Sequence, residues 1–299
     1  MVPEETLYAS LLNLVERTST ELPGDIQVAL QERLAESETG SVEAATLGTM
    51  LDNVALARQR HLPICQDTGT LIFFVEAPTG TSRRFFETAA EKAIAEATRR
   101  GILRQNCVNS LTGKNTGNNL GVGSPVIFWE EADVLRIKVT LMLKGGGSEN
   151  MGCQYSLPNR ELHAGRDLEG VRKCILDAVF RAQGQGCAPG ILGVAIGGDR
   201  ATGYEESKFQ LLRKIGERSP EPVLADLERR VLQEANSLGI GPMGCGGKTT
   251  LLDVFIGWRC RLPASYFVSI SYMCWCCRRQ TIEFDLDWNP LTQSGTKTS

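Results

Sequence analysis

Histidine is scarce in this sequence: His61 and His163 are the only two among 299 residues. Because protein zinc and non-haem iron sites rely heavily on imidazole ligands, the scarcity argues against a histidine-rich metal centre. Long apolar runs are also lacking, and none reaches the length of about 20 residues that a transmembrane helix needs. The amphipathic start carries Glu4 and Glu5 and is unlike a basic, apolar secretory signal. We therefore expect a cytoplasmic protein that has no membrane partner.

An excess of positive charge is missing as well. The formal net charge of -3 argues against an electrostatic nucleic-acid surface, so no nucleic-acid partner is expected. The chain also lacks linkers, internal repeats and heptad runs that would divide it. We expect a single catalytic domain over residues 1–287, followed by a polar C-terminal tail over residues 288–299.

Hydrophobic residues make up 42% of the chain, and their spacing predicts both helices and strands. Helices are predicted over 6–17, 41–60 behind a Ser41 cap, 85–100, 168–182, 204–215 and 222–238. Strands are predicted over 70–76, 134–143, 191–196, 251–256 and 266–273. The two kinds of element alternate too irregularly for a doubly wound sheet. The pattern therefore predicts an α/β fold of the α+β type, with mixed β-sheets flanked by helices.

Ten cysteines are a high count for a chain of this size. A disulfide framework is typical of small secreted proteins, and this chain is too large for that class. In a reducing compartment, cysteines are either small buried hydrophobic residues or ligands in metal and redox chemistry. Spacing alone favours buried, inert side chains for most of them. However, a cluster held by cysteines from distant turns would leave no local spacing signature.

Several glycine-rich turns lie next to polar residues at the ends of predicted strands. Such turns let the backbone approach a ligand closely and leave amide groups pointing outwards. Any one of them is best interpreted as a tight turn, but together they favour a shared site for carboxylate or phosphate oxygens. The four turns are Cys65–Gly69, Lys114–Gly117, Lys144–Ser148 and Cys187–Gly190.

The segment from Gly241 to Thr249 has some likeness to a Walker phosphate loop. Its glycines are not spaced correctly before Lys248, and Pro242 interrupts the motif. No nucleotide site is predicted there.

Taken together, these segments resemble the motifs of class I fumarate hydratases and of the closely similar L-tartrate dehydratase alpha subunit. The motifs follow the same order and cover most of the chain, from about residue 60 to residue 279. They are Pro63–Gly69, Lys114–Asn119, Lys144–Asn150, Cys187–Gly190, Gly193–Gly198, Gly239–Gly244 and Met273–Arg279. The resemblance implies a hydro-lyase that interconverts fumarate and malate, a reaction of the tricarboxylic acid cycle. An L-tartrate dehydratase alpha subunit, a non-catalytic iron–sulphur or redox-sensing protein and a zinc-binding structural subunit are the alternatives.

The resemblance also implies a cofactor, a 4Fe–4S cluster bound by three cysteines from three motifs. Carried over by position, the ligands are Cys65, Cys187 and Cys274. The fourth iron has no protein ligand in this family, which leaves it open as a Lewis acid for a substrate hydroxyl.

Further residues would hold a four-carbon dicarboxylate substrate. The family places Gln66 and Asp67 at the substrate, and both would take part in catalysis. Arg104 would clamp a carboxylate through two hydrogen bonds, and Gly145 and Gly146 would offer backbone amides. For Asp67 the competing interpretation is an Asx-type turn residue beside Thr-Gly.

Several departures from the family pattern are visible, and two of them bear on the substrate site. Leu262 stands where the family usually carries a substrate-facing histidine, so one polar contact to substrate is expected to be lost. Single-chain members also carry a further domain that completes the site, and two-chain members supply it as a beta subunit. We therefore expect this chain to be an alpha subunit that joins a beta subunit in a higher oligomer of alpha–beta pairs.

Overall fold

The computed structural model describes residues 4–291, and its mixed helices and sheets confirm the predicted fold class. The helices are α1 (Glu4–Thr20), α2 (Gly24–Glu36), α3 (Val42–Arg60), α4 (Arg83–Arg99), α5 (Gly146–Asn150), α6 (Leu168–Ala182), α7 (Arg200–Gln210) and α8 (Pro222–Ser237). The strands are β1 (Thr70–Pro78), β2 (Val126–Ala132), β3 (Ile137–Lys144), β4 (Cys153–Ser156), β5 (Gly190–Gly197), β6 (Leu251–Arg259), β7 (Phe267–Met273) and β8 (Arg278–Phe284).

The chain forms two compact units, and each is built from separate stretches of sequence. The first unit comprises the described residues of Met1–Pro23, Val54–Lys144 and Arg278–Ser299, and the second comprises Gly24–Asn53 and Gly145–Cys277. The single domain expected over residues 1–287 stays a prediction.

The first unit contains a four-stranded mixed sheet in the order β2-β1-β3-β8. Strand β1 runs parallel to β2 and antiparallel to β3, and β3 runs antiparallel to β8. Helix α4 begins at the Ser82 cap, whose side chain accepts a hydrogen bond from the amide of Phe85. Its alanine-rich face is fully buried and packs beside α1, which places the hydrophobic core of this unit between the helices and the sheet.

The second unit contains a four-stranded mixed sheet in the order β4-β7-β5-β6. The apolar side chains of one face form a core with α6 and α8. The opposite face carries small residues where α7 approaches β5. A Cβ atom at Gly193 would lie 2.0 Å from the carbonyl oxygen of Ser207 in α7, so only glycine allows this close packing.

The end of the chain is packed at least as far as Trp288. This side chain is 7% exposed and stacks on Phe86, with 5.9 Å between ring centroids. The polar tail was expected over residues 288–299, and its residues 292–299 lie outside the described residues. Among residues 4–291, no helix has both the length and the apolar character that crossing a membrane requires.

Candidate active site

The turn from Cys65 to Gly69 connects α3 to β1 in the first unit. Arg278 is 1% exposed, and its Nη2 donates a hydrogen bond of 2.8 Å to the backbone oxygen of Asp67. Gly69 has a φ of +81°, and a Cβ atom there would lie 2.7 Å from backbone atoms of Lys144. The turn therefore needs glycine at this position, and a buried guanidinium holds its carbonyl.

Asp67 forms the Asx-type turn that was the competing interpretation for this residue. Its Oδ1 accepts a hydrogen bond of 2.9 Å from the amide of Gly69 and one of 3.2 Å from Asn106 Nδ2. The residue is half-buried, and the neighbouring Gln66 is exposed. A role in the turn and a role in proton transfer are compatible, because the turn uses the carboxylate as an acceptor without removing it from the surface.

Arg104 lies on the backbone segment next to this turn. Its amide donates a hydrogen bond of 3.1 Å to Thr68 Oγ1, and its carbonyl accepts one of 2.8 Å from Asn119 Nδ2. Asn119 is 2% exposed, and its Oδ1 also accepts from the amide of Asn106 at 2.7 Å. The structure thus brings the predicted residues Gln66, Asp67 and Arg104 together within the first unit.

The turn that contains Cys187 lies in the second unit. Cys187 has a φ of +55°, in the left-handed region, and its carbonyl accepts a hydrogen bond of 3.3 Å from the amide of Trp275. The carbonyl of Ala188 accepts one of 2.8 Å from the amide of Met243. Because Trp275 directly follows Cys274, the first of these bonds joins two of the motifs that carry predicted cluster ligands.

Tyr272 provides a second link between Cys187 and Cys274. A Cβ atom at either Gly186 or Gly190 would lie 2.4 Å from the tyrosine side chain, so the ring rests directly on the Cys187 turn. Burial raises the pKa of Tyr272, and the nearby thiols of Cys274 and Cys187 raise it further. The structure therefore places both thiols near one buried phenol.

Sequence reasoning did not single out Tyr272, Asn106 or Arg278 as site residues. Arg278 and Tyr272 both lie close to Cys274 in the sequence, and this proximity was the available signal. Asn106 follows Arg104 by two residues in a segment without regular structure, which offered no spacing pattern.

The remaining predicted residues have plain structural settings. Gly145 directly precedes the five-residue helix α5, and Gly146 is its first residue, so their role in substrate binding stays a prediction. Leu262 lies between β6 and β7 and is 73% exposed. Cys276 and Cys277 are 2% and 0% exposed, in keeping with buried hydrophobic side chains.

The three predicted metal ligands have similar settings in the structure. Cys65, Cys187 and Cys274 are all half-buried cysteines outside regular helices and strands, and thiolates are the donors that iron–sulphur clusters take. The donor set therefore fits such a cluster in its chemistry. Across residues 4–291, no group of three or more His, Cys, Asp or Glu side chains is arranged to hold a metal ion.

Comparison with known proteins shows which family this chain is similar to. The family described as fumarate hydratase (Fumerase) matches residues 9–283. A Geobacillus stearothermophilus protein named as a class I fumarate hydratase is 47% identical over 285 residues, covering 94% of this chain and 55% of the relative. The chain therefore spans about half the length of that relative.

Two other relatives are similar to this chain over nearly their whole length. A Methanocaldococcus jannaschii protein named as an L(+)-tartrate dehydratase subunit alpha is 34% identical, over 93% of this chain and 97% of the relative. The L(+)-tartrate dehydratase subunit alpha of Escherichia coli (strain K12) is 33% identical, over 94% of this chain and 92% of the relative. The family match and these identities show that the chain belongs to the fumarate hydratase (Fumerase) family.

Proposed function

We propose that this chain is the cluster-binding subunit of a hydro-lyase that interconverts malate and fumarate. The observation that carries the proposal is the turn at Cys65, which combines a thiol with the carboxylate of Asp67 and lies beside Arg104. Dehydration requires the loss of hydroxide from one carbon and of a proton from its neighbour. A metal-ligating thiol and a fixed carboxylate on one turn suit these two needs.

Cys65, Cys187 and Cys274 are the ligands that we propose for a 4Fe–4S cluster. When bound, the cluster would supply a Lewis acid for the departing hydroxyl. The link between Cys187 and Cys274 through Tyr272 and Trp275 supports two of these ligands.

The chain's own residues would bind the substrate and move the proton. Arg104 would hold a substrate carboxylate through two hydrogen bonds and neutralise its charge, which makes the proton on the adjacent carbon more acidic. Asp67 would accept that proton in dehydration and return it in hydration. Gln66 would donate a hydrogen bond to the substrate, and the amides of Gly145 and Gly146 would do the same.

L-tartrate is the second candidate substrate. The two relatives named as L(+)-tartrate dehydratase subunit alpha match this chain over 97% and 92% of their own lengths, which favours this alternative. Their naming as alpha subunits also supports a beta subunit as partner, within an oligomer of alpha–beta pairs. A cytoplasmic location and a place in the tricarboxylic acid cycle complete the proposal.

Counting iron in cysteine variants tests the ligand assignment. Cys65→Ser, Cys187→Ser and Cys274→Ser should each lose iron after anaerobic reconstitution, with altered visible and electron paramagnetic resonance spectra. Cys260→Ser is the matched control, because Cys260 is exposed and is not a proposed ligand. It should keep the iron content of the parent chain. Full iron content in the Cys274→Ser protein would remove Cys274 from the ligand set and point to Cys276 or Cys277.

A further inference from the structure

The glycine-rich segment from Gly241 to Thr249 has no part in the proposed function, yet its backbone touches the Cys187 turn. The amide of Met243 donates a hydrogen bond of 2.8 Å to the carbonyl of Ala188. A Cβ atom at Gly184, on the same turn, would lie 2.4 Å from the carbonyl oxygen of Met243. The shape of the Cys187 turn therefore depends on where this segment lies.

Glu43 anchors the other end of the segment. It lies in the first turn of α3 and is 9% exposed. Its two carboxylate oxygens each accept a hydrogen bond of 3.1 Å from the amide of Lys248, and one also accepts a bond of 2.8 Å from the amide of Thr249. An internal carboxylate thus occupies the backbone amides that a bound phosphate would need in a Walker-type loop.

The two anchors are joined by a short, tightly closed path. The amide of Gly246 donates a hydrogen bond of 2.9 Å to the carbonyl of Ile240, and a Cβ atom at Gly241 would lie 2.0 Å from the carbonyl oxygen of Gly246. Thr250, which follows Thr249, accepts a hydrogen bond of 2.9 Å from the amide of Gly190. A shift of Glu43 would therefore move the segment, and with it the contacts that the segment and Thr250 make with Ala188 and Gly190, next to Cys187.

We propose that Glu43 is a positioning residue that holds the Cys187 turn in place through the Gly241–Thr249 segment. The inference rests on the proposed function, in which Cys187 is a cluster ligand. Glu43 acts at a distance: it binds amides of the segment, and the segment binds the turn. Groups that hydrogen-bond metal ligands directly commonly change metal affinity about 10–100-fold when they are removed, so this range is the upper limit for a group that acts through an intervening segment.

The variant Glu43→Gln keeps the size of the side chain but removes its charge. One oxygen is replaced by an NH₂ group, which faces backbone amides that are also donors. Glu43→Asp keeps the charge and shortens the side chain by one methylene. Either change should loosen the Gly241–Thr249 segment without replacing any of the cysteines.

Glu228→Gln is the matched control within the same unit. Glu228 is fully buried and accepts hydrogen bonds of 2.7 Å from the amide of Ile256 and 2.9 Å from the amide of Ser219. These amides lie outside the Gly241–Thr249 segment. Glu228 also forms an ion pair of 2.7 Å with Arg213. The control therefore measures what the loss of a buried carboxylate and of its ion pair does to the unit in general.

The experiment uses the full chain after anaerobic reconstitution. We would measure Tm, iron per chain, the electron paramagnetic resonance spectrum and the rate of iron loss to a chelator. Glu43→Gln should lose iron faster than the parent, by up to about 10–100-fold, and show a shifted spectrum. Glu228→Gln should keep the parental rate and spectrum even where its Tm falls. If Glu43→Gln does not fold, Glu43→Asp should show the same acceleration and spectral shift.

Parental release rates and spectra in the variants that fold would overturn the positioning role. Equal acceleration in Glu228→Gln would also overturn it, because a general loss of stability would then explain the effect. A parent chain that takes up no iron would overturn the proposed function and this inference with it. Failure of the inference alone is therefore distinguishable from failure of the function.

Discussion

At the scale of single residues, Asp67 shows how one side chain can serve both structure and chemistry. Its Oδ1 closes the turn by accepting the amide of Gly69, and the same oxygen accepts from Asn106. Asparagine can form the same turn, because its Oδ1 is an equivalent acceptor. Asparagine cannot, however, accept a proton from carbon as a carboxylate does.

We predict that Asp67→Asn lowers kcat by about 10²–10⁴-fold while leaving Tm and iron content unchanged. The measurement is steady-state kinetics of the complete enzyme beside thermal unfolding of the chain. Asp285→Asn is the control, because Asp285 also accepts backbone amides in a turn, those of Asp287 and Asn289. It should keep parental kcat. Parental kcat in Asp67→Asn would leave Asp67 with the turn as its only role.

Glu43 gives a prediction about pH. Burial raises its pKa, but hydrogen bonds from Thr249 and Lys248 outweigh burial and hold the pKa below its ordinary value of 4.5. A lowered pKa in the folded state means that the ionised side chain stabilises the fold. This stabilisation is complete above the unfolded-state value and is lost as the pH falls through the folded-state value.

We therefore expect the difference in the free energy of unfolding between the parent and Glu43→Gln to be constant near neutral pH. It should shrink as the pH falls below 4.5. Urea unfolding of both proteins at a series of pH values measures this difference. The contributions of all other carboxylates to the free energy of unfolding are the same in both proteins and cancel. A difference that stayed the same down to about pH 3 would show that the ionised form of Glu43 adds no stability.

At the scale of elements, the second unit depends on a close contact between α7 and β5. Ser207 of α7 lies over this contact, and its Oγ also lies 2.7 Å from Ser271 Oγ of the neighbouring strand β7 in a buried hydrogen bond. Gly193 lies directly under the backbone of α7. The atom nearest to an added methyl group, at 2.0 Å, is the backbone oxygen of Ser207, which cannot move aside unless α7 shifts.

We predict that Gly193→Ala destabilises the chain by about 1–3 kcal/mol or more, through overpacking. Gly48→Ala is the control, because a Cβ atom at Gly48 in α3 meets nothing within 4 Å. That change should stabilise the chain by about 0.5–1 kcal/mol, since alanine favours a helix interior. Chemical denaturation measures both values. An unchanged stability of Gly193→Ala would mean that α7 can shift away from β5.

The elements that the sequence predicted are those with strong hydrophobic periodicity. The helix predicted over 168–182 has those bounds in the structure, and β5 matches its predicted apolar run within two residues. Strand β8 was missed, because the Arg278-Arg279-Gln280 run lacks the alternation of a half-buried strand. Helix α7 begins at Arg200 instead of 204, because Asp199 and Thr202 form a capping box there.

The candidate site was predictable in its parts but not in its assembly. Motif likeness named Cys65, Asp67 and Arg104, and the structure brings the turn and Arg104 together. No local pattern could place Tyr272 on the Cys187 turn, because this contact joins distant parts of the chain. Gly186 and Gly190 indicate that something packs closely against this turn, but they do not identify the ring that does so.

At the scale of the whole molecule, the two compact units are interleaved in sequence. The first unit carries Cys65, Asp67 and Arg104, and the second carries Cys187 and Cys274. Relatives of this chain are named both as a class I fumarate hydratase and as alpha subunits. The function that we propose includes a beta-type partner, and under that proposal full activity should require this partner to supply further contacts to the substrate.

Fumarate absorbance tests the central claim most directly. The chain would be reconstituted anaerobically, combined with a beta-type subunit and supplied with fumarate. We predict turnover that is lost on aeration with a chelator, returns with ferrous iron and a thiol reductant, and is absent in Cys274→Ser. Turnover that survived aeration and chelation, or that Cys274→Ser retained in full, would contradict a cluster-dependent hydro-lyase.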